Sequence, residues 1–187
     1  MAINLQKGQR ISLGLSNVTL GLGWDPNQNT GSDFDLDASC FCLGEGGKIP
    51  SDEFFIFYNN KFSPDGAVEG ADDDTTGGAS DGDDDEQIKV NLNKVDPKIK
   101  EIVFIATIHD AAQRKQNFGQ VRNSYIRIVD ESSNSEIAKY ELEEDFSIET
   151  SVEFGRLYRK DNEWKFQAIG DGYQEDLGFF VSKYVNQ

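Results

Sequence analysis

The chain is short of cysteine and histidine and has no long apolar run, and each shortage excludes a class of protein. There are two cysteines, Cys40 and Cys42, and a single histidine, His109. The cysteines stand two residues apart in an alternating segment, so they point the same way and do not pair. The disulfide framework of a small secreted protein is absent. They share a strand face with Leu36 and Ala38 and read as small core residues, not redox groups or soft-metal ligands. One histidine excludes a two-histidine metal site. His109 precedes Asp110, which would be half of a catalytic pair. No nucleophile elbow or phosphate-binding glycine loop accompanies it, so His109 reads as a structural residue ending a buried strand. No apolar stretch reaches the ~18 residues of a transmembrane helix. The opening MAINLQKGQR lacks the apolar run of a signal peptide. The expectation is a soluble cytoplasmic protein without internal repeats.

What the chain does have is acid. It carries 34 Asp and Glu against 18 Lys and Arg among 187 residues, for a net charge of −16. Nine of those acids, and no base, fall in Glu69–Glu86, EGADDDTTGGASDGDDDE. Neighbouring carboxylates ~4 Å apart repel by about 1 kcal/mol in water and about 4 kcal/mol near a protein surface. A folded loop that gathers them needs a cation. The interspersed glycines and threonines are turn residues able to wrap a backbone around a small ion. A calcium-binding loop is expected, with a solvated acidic loop as the alternative. Such a surface repels nucleic acid, and it repels anionic lipid unless a divalent cation bridges the two.

The remaining pattern is β-rich, and its length allows one domain over residues 1–187 with a substantial core. Gln9–Leu15 and Asp33–Leu43 alternate. Glu53–Tyr58 is nearly all apolar, which predicts a central strand. Gln87–Leu92 points Ile88, Val90 and Leu92 inward. Glu101–Ile108, Ser124–Asp130, Glu136–Leu142, Val152–Arg159 and Glu163–Ile169 complete the set. Hairpins are signalled at Asp130–Asn134 and Lys160–Asn162. A short helix is expected over Asp110–Gln116 with Asp110 near its N-cap, and another near the C-terminus over Glu175–Val185. This predicts a mostly all-β fold, an antiparallel β-sandwich with a few short helices.

Three oxygen-rich segments are candidates for one metal centre. Asp72, Asp74, Thr76, Gly77, Gly78, Ser80 and Asp83 follow the ligand spacing of an EF-hand loop, but the flanks are strands. Asp33, Asp35 and Asp37 share one strand face, ~6.5–7 Å apart in succession, and must repel or share cations; a plain solvent face is the alternative. Asp25, Asn27 and Asn29 form an oxygen-rich turn. Oxygen-only donors favour calcium or magnesium, and ligand number and flexibility favour calcium. Arg114, Lys115, Arg122 and Arg127 are scattered and read as surface ion pairs.

Several segments taken in order then resemble a known family. Gly23-Trp24-Asp25 followed by Phe34-Asp35-Leu36-Asp37-Ala38-Ser39 is similar to the signature of the TerD family of tellurium-resistance and stress-response proteins. Phe55-Ile56-Phe57-Tyr58-Asn59-Asn60, Ser63-Pro64-Asp65-Gly66, Ile108-His109-Asp110 and Phe118-Gly119-Gln120-Val121 continue it. So do Tyr125-Ile126-Arg127-Ile128, Phe154-Gly155-Arg156-Leu157-Tyr158-Arg159 and Gly170-Asp171-Gly172-Tyr173. The resemblance implies a non-enzymatic calcium-binding β-sandwich linked to tellurite and other chemical stress, working with membrane-bound protein partners of the same system. It matches Asp73, Asp74, Thr76, Gly77, Gly82, Asp83, Asp84 and Glu86 to the family's acidic loop. This chain departs from that loop at Asp74, at one extra residue in Gly78-Ala79-Ser80, and at one extra acid in Asp83–Glu86.

The combined expectation is a calcium-binding stress-response module that acts as a binding or adaptor protein. Two calcium ions are expected, held among Asp25, Asp35, Asp37, Asn60, Asp73, Asp74, Thr76, Gly77, Asp81, Asp83, Asp84, Asp85 and Glu86. Its expected location is cytoplasmic or peripheral at the inner face of the membrane, with membrane contact only through calcium and no direct nucleic-acid binding. The competing expectation is a metal-dependent enzyme acting on phosphate-containing or oxyanion substrates.

Overall fold

Apolar alternation in this chain builds two facing sheets. The computed structural model describes residues 2–70, 75–76, 84–142 and 146–185. In chain order its strands are β1 (Ile3–Asn4), β2 (Arg10–Ser12), β3 (Asn17–Gly23), β4 (Leu36–Leu43), β5 (Phe55–Ile56), β6 (Val68–Gly70), β7 (Glu86–Asn91), β8 (Glu101–Ile108), β9 (Tyr125–Asp130), β10 (Ser135–Glu141), β11 (Ser151–Lys160) and β12 (Glu163–Tyr173). The α-helices are α1 (Ala111–Arg114) and α2 (Leu177–Tyr184). One sheet runs β1-β10-β9-β3-β7-β6 and the other β2-β12-β11-β8-β4-β5. Neighbours are antiparallel, except that β1 pairs with β10 in parallel.

The core lies between the inner faces. Val18, Leu20 and Leu22 of β3, Ile88 and Val90 of β7, and Ile126 and Ile128 of β9 are buried. On the other sheet, Cys40 and Cys42 pair across with Phe104 and Ile102. The two cysteines are free buried thiols. The hydrogen bond with Cys40, together with burial, pushes the Cys42 thiol up, away from the reactive thiolate.

The outer face of the second sheet is covered as well, by α2. Tyr184 packs against Phe41 with ring centroids 5.1 Å apart. Phe180 meets Tyr173 edge-on at 5.3 Å. A strand covered on both faces reads as a continuous apolar run, which is why β8 is EIVFIATI. Asp176 caps α2 by accepting from the Phe179 N–H. Buried Glu153 of β11 holds the other end, accepting from the Tyr184 hydroxyl and pairing with Lys183 at 2.7 Å.

The sandwich, both hairpins and the C-terminal helix follow the sequence expectation. Asp161 and Asn162 turn the β11–β12 hairpin with φ of 54° and 60°, the left-handed pair that a two-residue turn requires. Other expectations are corrected. Glu53–Tyr58 is not a central strand: only Phe55–Ile56 pairs, at the edge of its sheet. Phe54, Phe55 and Ile56 are buried, with Phe41, Phe55 and Phe57 stacked in series at 4.3 Å, while Tyr58 is exposed. Gln9–Leu15 contributes just the three-residue edge strand β2. Asn17–Gly23, absent from the expected strands, is a central strand of the first sheet. Asp110 does sit at the N-cap of a helix, but in the left-handed region (φ 52°) and without a side-chain capping bond.

Candidate metal centre

The Asp33–Asp37 segment is pinned from two sides before it enters β4. The Trp24 indole N–H donates to the Phe34 carbonyl at 3.1 Å, and the His109 N–H donates to the Asp35 carbonyl at 2.8 Å. The Gln116 amide donates to the carbonyls of Ser32 and Asp33 at 2.9 and 3.2 Å. So fixed, Asp35 and Asp37 are 8% and 7% exposed. They do not form a solvent face. The Arg114 guanidinium approaches Asp35 at 3.8 Å. His109 stands between carboxylates, 3.9 Å from Asp37 and 3.4 Å from Asp110. It stands at the end of buried β8, as expected, with its side chain 44% exposed.

The end of the acidic run approaches the same place from the other sheet. Asp85 donates its N–H to the Leu22 carbonyl at 2.9 Å, and its carboxylate accepts from the Trp24 N–H at 2.9 Å. Glu86 opens β7 on the inward face and is 7% exposed. Its carboxylate crosses between the sheets to accept from the Ala38 N–H at 2.6 Å. Glu86 and Asp37 thus line one small cavity of about 20 Å³, with Ala38, Ile56, Phe57, Tyr58, Gly70 and Gln87. That volume suits one water-sized body. Gly70 and Glu86 also bracket most of the acidic run, so both of its ends reach this cavity.

Asp84 faces elsewhere. Its side chain is fully buried on the outer face of the first sheet, 2.7 Å from the Arg127 guanidinium. The Tyr125 hydroxyl and the Gln87 amide also donate to it, at 3.2 and 3.1 Å. The carboxylate fits because β3 has glycine beneath it: a Cβ at Gly21 would overlap Asp84, and one at Gly23 would overlap the Tyr125 ring. Burial opposes the Arg127 charge, but the bond to Asp84 prevails and holds its pKa above the ordinary value. Burial, reinforced by the Asp84 charge, pushes the Tyr125 hydroxyl up.

The expected ligands are therefore distributed unevenly. Asp37 and Glu86 meet at the cavity, with Asp35 and Asp85 in the segments that lead to it. Asp25 accepts from the Asn123 amide at 2.6 Å and does not line that cavity. The Asn60 amide donates to the carbonyls of Glu53 and Phe55 at 3.1 and 2.7 Å, bracing a turn. Thr76 is exposed. Asp73, Asp74, Gly77, Asp81 and Asp83 lie outside the described residues. Sequence reasoning did not anticipate the roles of Arg127, Tyr125 and Gly21. Arg127 and Arg114 form ion pairs as expected, with Asp84 and Asp35, but the Arg127 pair is buried at Asp84 and not a surface one.

The donors at the cavity are carboxylate oxygens, the chemistry of a hard cation such as calcium or magnesium. Calcium takes six to eight oxygens. Among the described residues no three His, Cys, Asp or Glu form a metal-holding group. Asp37 and Glu86 line the cavity as two acids of opposite sheets, and their donor type is the one a hard cation takes.

The same architecture occurs in known proteins. The profile of the TerD domain matches residues 1–184. The chain belongs to the TerD family. It is 50% identical over 190 residues to general stress protein 16U of Bacillus subtilis (strain 168), covering 98% of this chain and 97% of that one. It is 46% identical to the tellurium resistance protein TerD of Serratia marcescens, with the same coverage. A solved structure of a homologue of telluride resistance protein (TerD) from Streptomyces coelicolor A3(2) superposes with a TM-score of 0.75 over 90% of this chain and 96% of that one, at 20% identity. That likeness speaks for the TerD fold. This TerD-family chain is thus a member of a stress-response and tellurium-resistance family. No described helix is long and apolar enough to cross a membrane.

Proposed function

We propose that this TerD-family protein is a calcium-binding adaptor of a stress-resistance system. One observation carries the reading: Asp37 and Glu86, from opposite sheets and each 7% exposed, line a single cavity at the mouth of an acid-rich run. Two carboxylates in a shared low-dielectric pocket repel strongly unless a cation lies between them. In this reading Asp37 and Glu86 bind the first ion directly. Asp35 and Asp85 hold the ends of the two segments in position. The acids of the run, Asp73, Asp74, Asp81 and Asp83, supply the remaining oxygens and hold a second ion. Asp84 serves the fold through Arg127. Bound calcium completes a docking face and performs no chemistry. The relatives bear stress and resistance names rather than enzyme names, and His109 is flanked by carboxylates. The protein is read as cytoplasmic, meeting membrane-bound protein partners at the inner face.

Calorimetric titration tests the site. Wild type takes up two calcium ions per chain. Asp37→Asn and Glu86→Gln each abolish one ion or weaken it at least tenfold, while circular dichroism stays native. Wild-type binding by both folded variants would remove the cavity from the site.

A further inference from the structure

The adaptor reading leaves open where a partner docks and what it is made of. Among the described residues four large apolar side chains are well exposed: Ile3, Tyr58, Phe62 and Ile148. Two of them lie on the connection from β5 to β6: Tyr58 at 46% in the tight Phe57–Asn60 hairpin, and Phe62 at 61% just past it, where it bridges to Glu69. Isolated exposed apolar residues are ordinary, but two exposed aromatics within five residues of one connection are less so.

This hairpin is rigidly mounted. Phe57 and Asn60 exchange backbone hydrogen bonds of 3.0 and 2.9 Å. The Asn60 amide ties the turn to the Glu53 and Phe55 carbonyls. Rings then continue inward without a break: Tyr58 meets Phe57 edge-on at 5.1 Å, Phe57 stacks on Phe55, Phe55 stacks on Phe41, and Phe41 meets Tyr184. An exposed aromatic backed by a fixed stack gives up little conformational entropy on binding, which is the property of an interface anchor.

The electrostatic setting selects the partner. Glu69 is bridged directly across from Phe62. Exposed Asp52 and Glu53 lead into β5. The stretch 51–70 holds four acids, Asp52, Glu53, Asp65 and Glu69, against one base, Lys61. An anionic lipid surface meets repulsion here, and so does nucleic acid. A polypeptide segment that alternates Lys or Arg with an aliphatic side chain meets attraction twice. Its cations face the carboxylates and the aromatic faces, and its aliphatic group covers Tyr58 and Phe62.

We propose that the Tyr58–Phe62 connection is the docking surface of this adaptor, and that its occupant is a basic, aliphatic-bearing segment of a partner protein. The proposal rests on the adaptor reading above and assigns its contact surface. Tyr58 also lines the Asp37–Glu86 cavity, so docking and ion binding share one neighbourhood.

Two synthetic peptides, one alternating lysine with leucine and one alternating lysine with serine, test the proposal by calorimetry in calcium at physiological salt. Wild type binds the leucine peptide at least tenfold more tightly than the serine peptide. The double variant Tyr58→Ser, Phe62→Ser loses that preference, dropping about tenfold on the leucine peptide alone. The control Ile148→Ser, equally exposed but off this connection, keeps it. All three changes are at exposed sites, and thermal melts check that the fold persists. If the double variant still prefers the leucine peptide, this connection is not the surface, although the adaptor reading stands. If wild type binds neither peptide, both fail. Sedimentation with anionic vesicles that depends on Tyr58 and Phe62 would overturn the proposal by assigning the patch to lipid.

Discussion

Buried carboxylates decide much of this molecule residue by residue, and each has a different partner. Glu86 takes a backbone N–H, Asp84 takes Arg127, and Glu153 takes Lys183 and two tyrosines. The tyrosines report on this arrangement. Burial, then the neighbouring carboxylate, pushes up the hydroxyls of Tyr125 beside Asp84 and of Tyr173 beside Glu153. Burial and the hydrogen bond to Glu153 do the same for Tyr184. The sign follows from linkage. A folded pKa above the unfolded value of about 10 means that the native state keeps a proton the unfolded chain releases. This contribution to stability is complete below about pH 10 and is lost as pH rises beyond it. Absorbance of tyrosinate, recorded with circular dichroism on an alkaline titration, should show at least three of the six tyrosines ionising only as the fold is lost. If all six ionise near the ordinary value with the sheets intact, the buried networks are misassigned.

Strands show which parts of the fold were legible in the sequence and which were not. Glu101–Ile108 and Val152–Arg159 are recognisable because their apolar residues are local and continuous. β3 escaped although Val18, Leu20 and Leu22 alternate, because Gly21 and Gly23 stand on its other face where strand-forming side chains are usual. Those glycines answer to Asp84 and Tyr125, far along the chain, and nothing in the local pattern around β3 announces them. The central-strand expectation for Glu53–Tyr58 failed for the converse reason: its apolar run belongs to ring stacking at a sheet edge that ends in exposed Tyr58, not to pairing on both sides. At the candidate site, the aspartates of the Asp33–Asp37 segment and the acids of the run were legible as oxygen donors. Their division into cavity-facing Asp37 and Glu86 and arginine-bound Asp84 was not, because it depends on which sheet face each segment reaches. The glycine notch gives a direct test. Gly21→Ala should force Asp84 away from Arg127 and destabilise the protein by about 1–3 kcal/mol, measured by urea denaturation. Unchanged stability would mean that the notch is not needed.

At the scale of the whole molecule, a net charge of −16 on 187 residues is a standing electrostatic cost, and nine of the acids fall in the run whose ends, Gly70 and Glu86, meet at the cavity margin between the sheets. The fold places β5 and β6, the edge strands of the two sheets, together at that margin. The Tyr58–Phe62 connection, the cavity and both ends of the acidic run are consequently neighbours. A divalent cation there would relieve the repulsion and brace the margin at once. A ligand that binds only the native state at ~100 times its Kd contributes about 2.7 kcal/mol. For a domain of this size that is a rise in Tm of roughly 5–10 °C. The most direct measurement is the thermal melt of one preparation in calcium, in magnesium and in chelator. Calcium should raise the Tm by that amount over chelator, and magnesium, which sheds its waters reluctantly, by much less. Melting curves that coincide in all three would contradict the claim that this acidic margin is a calcium site.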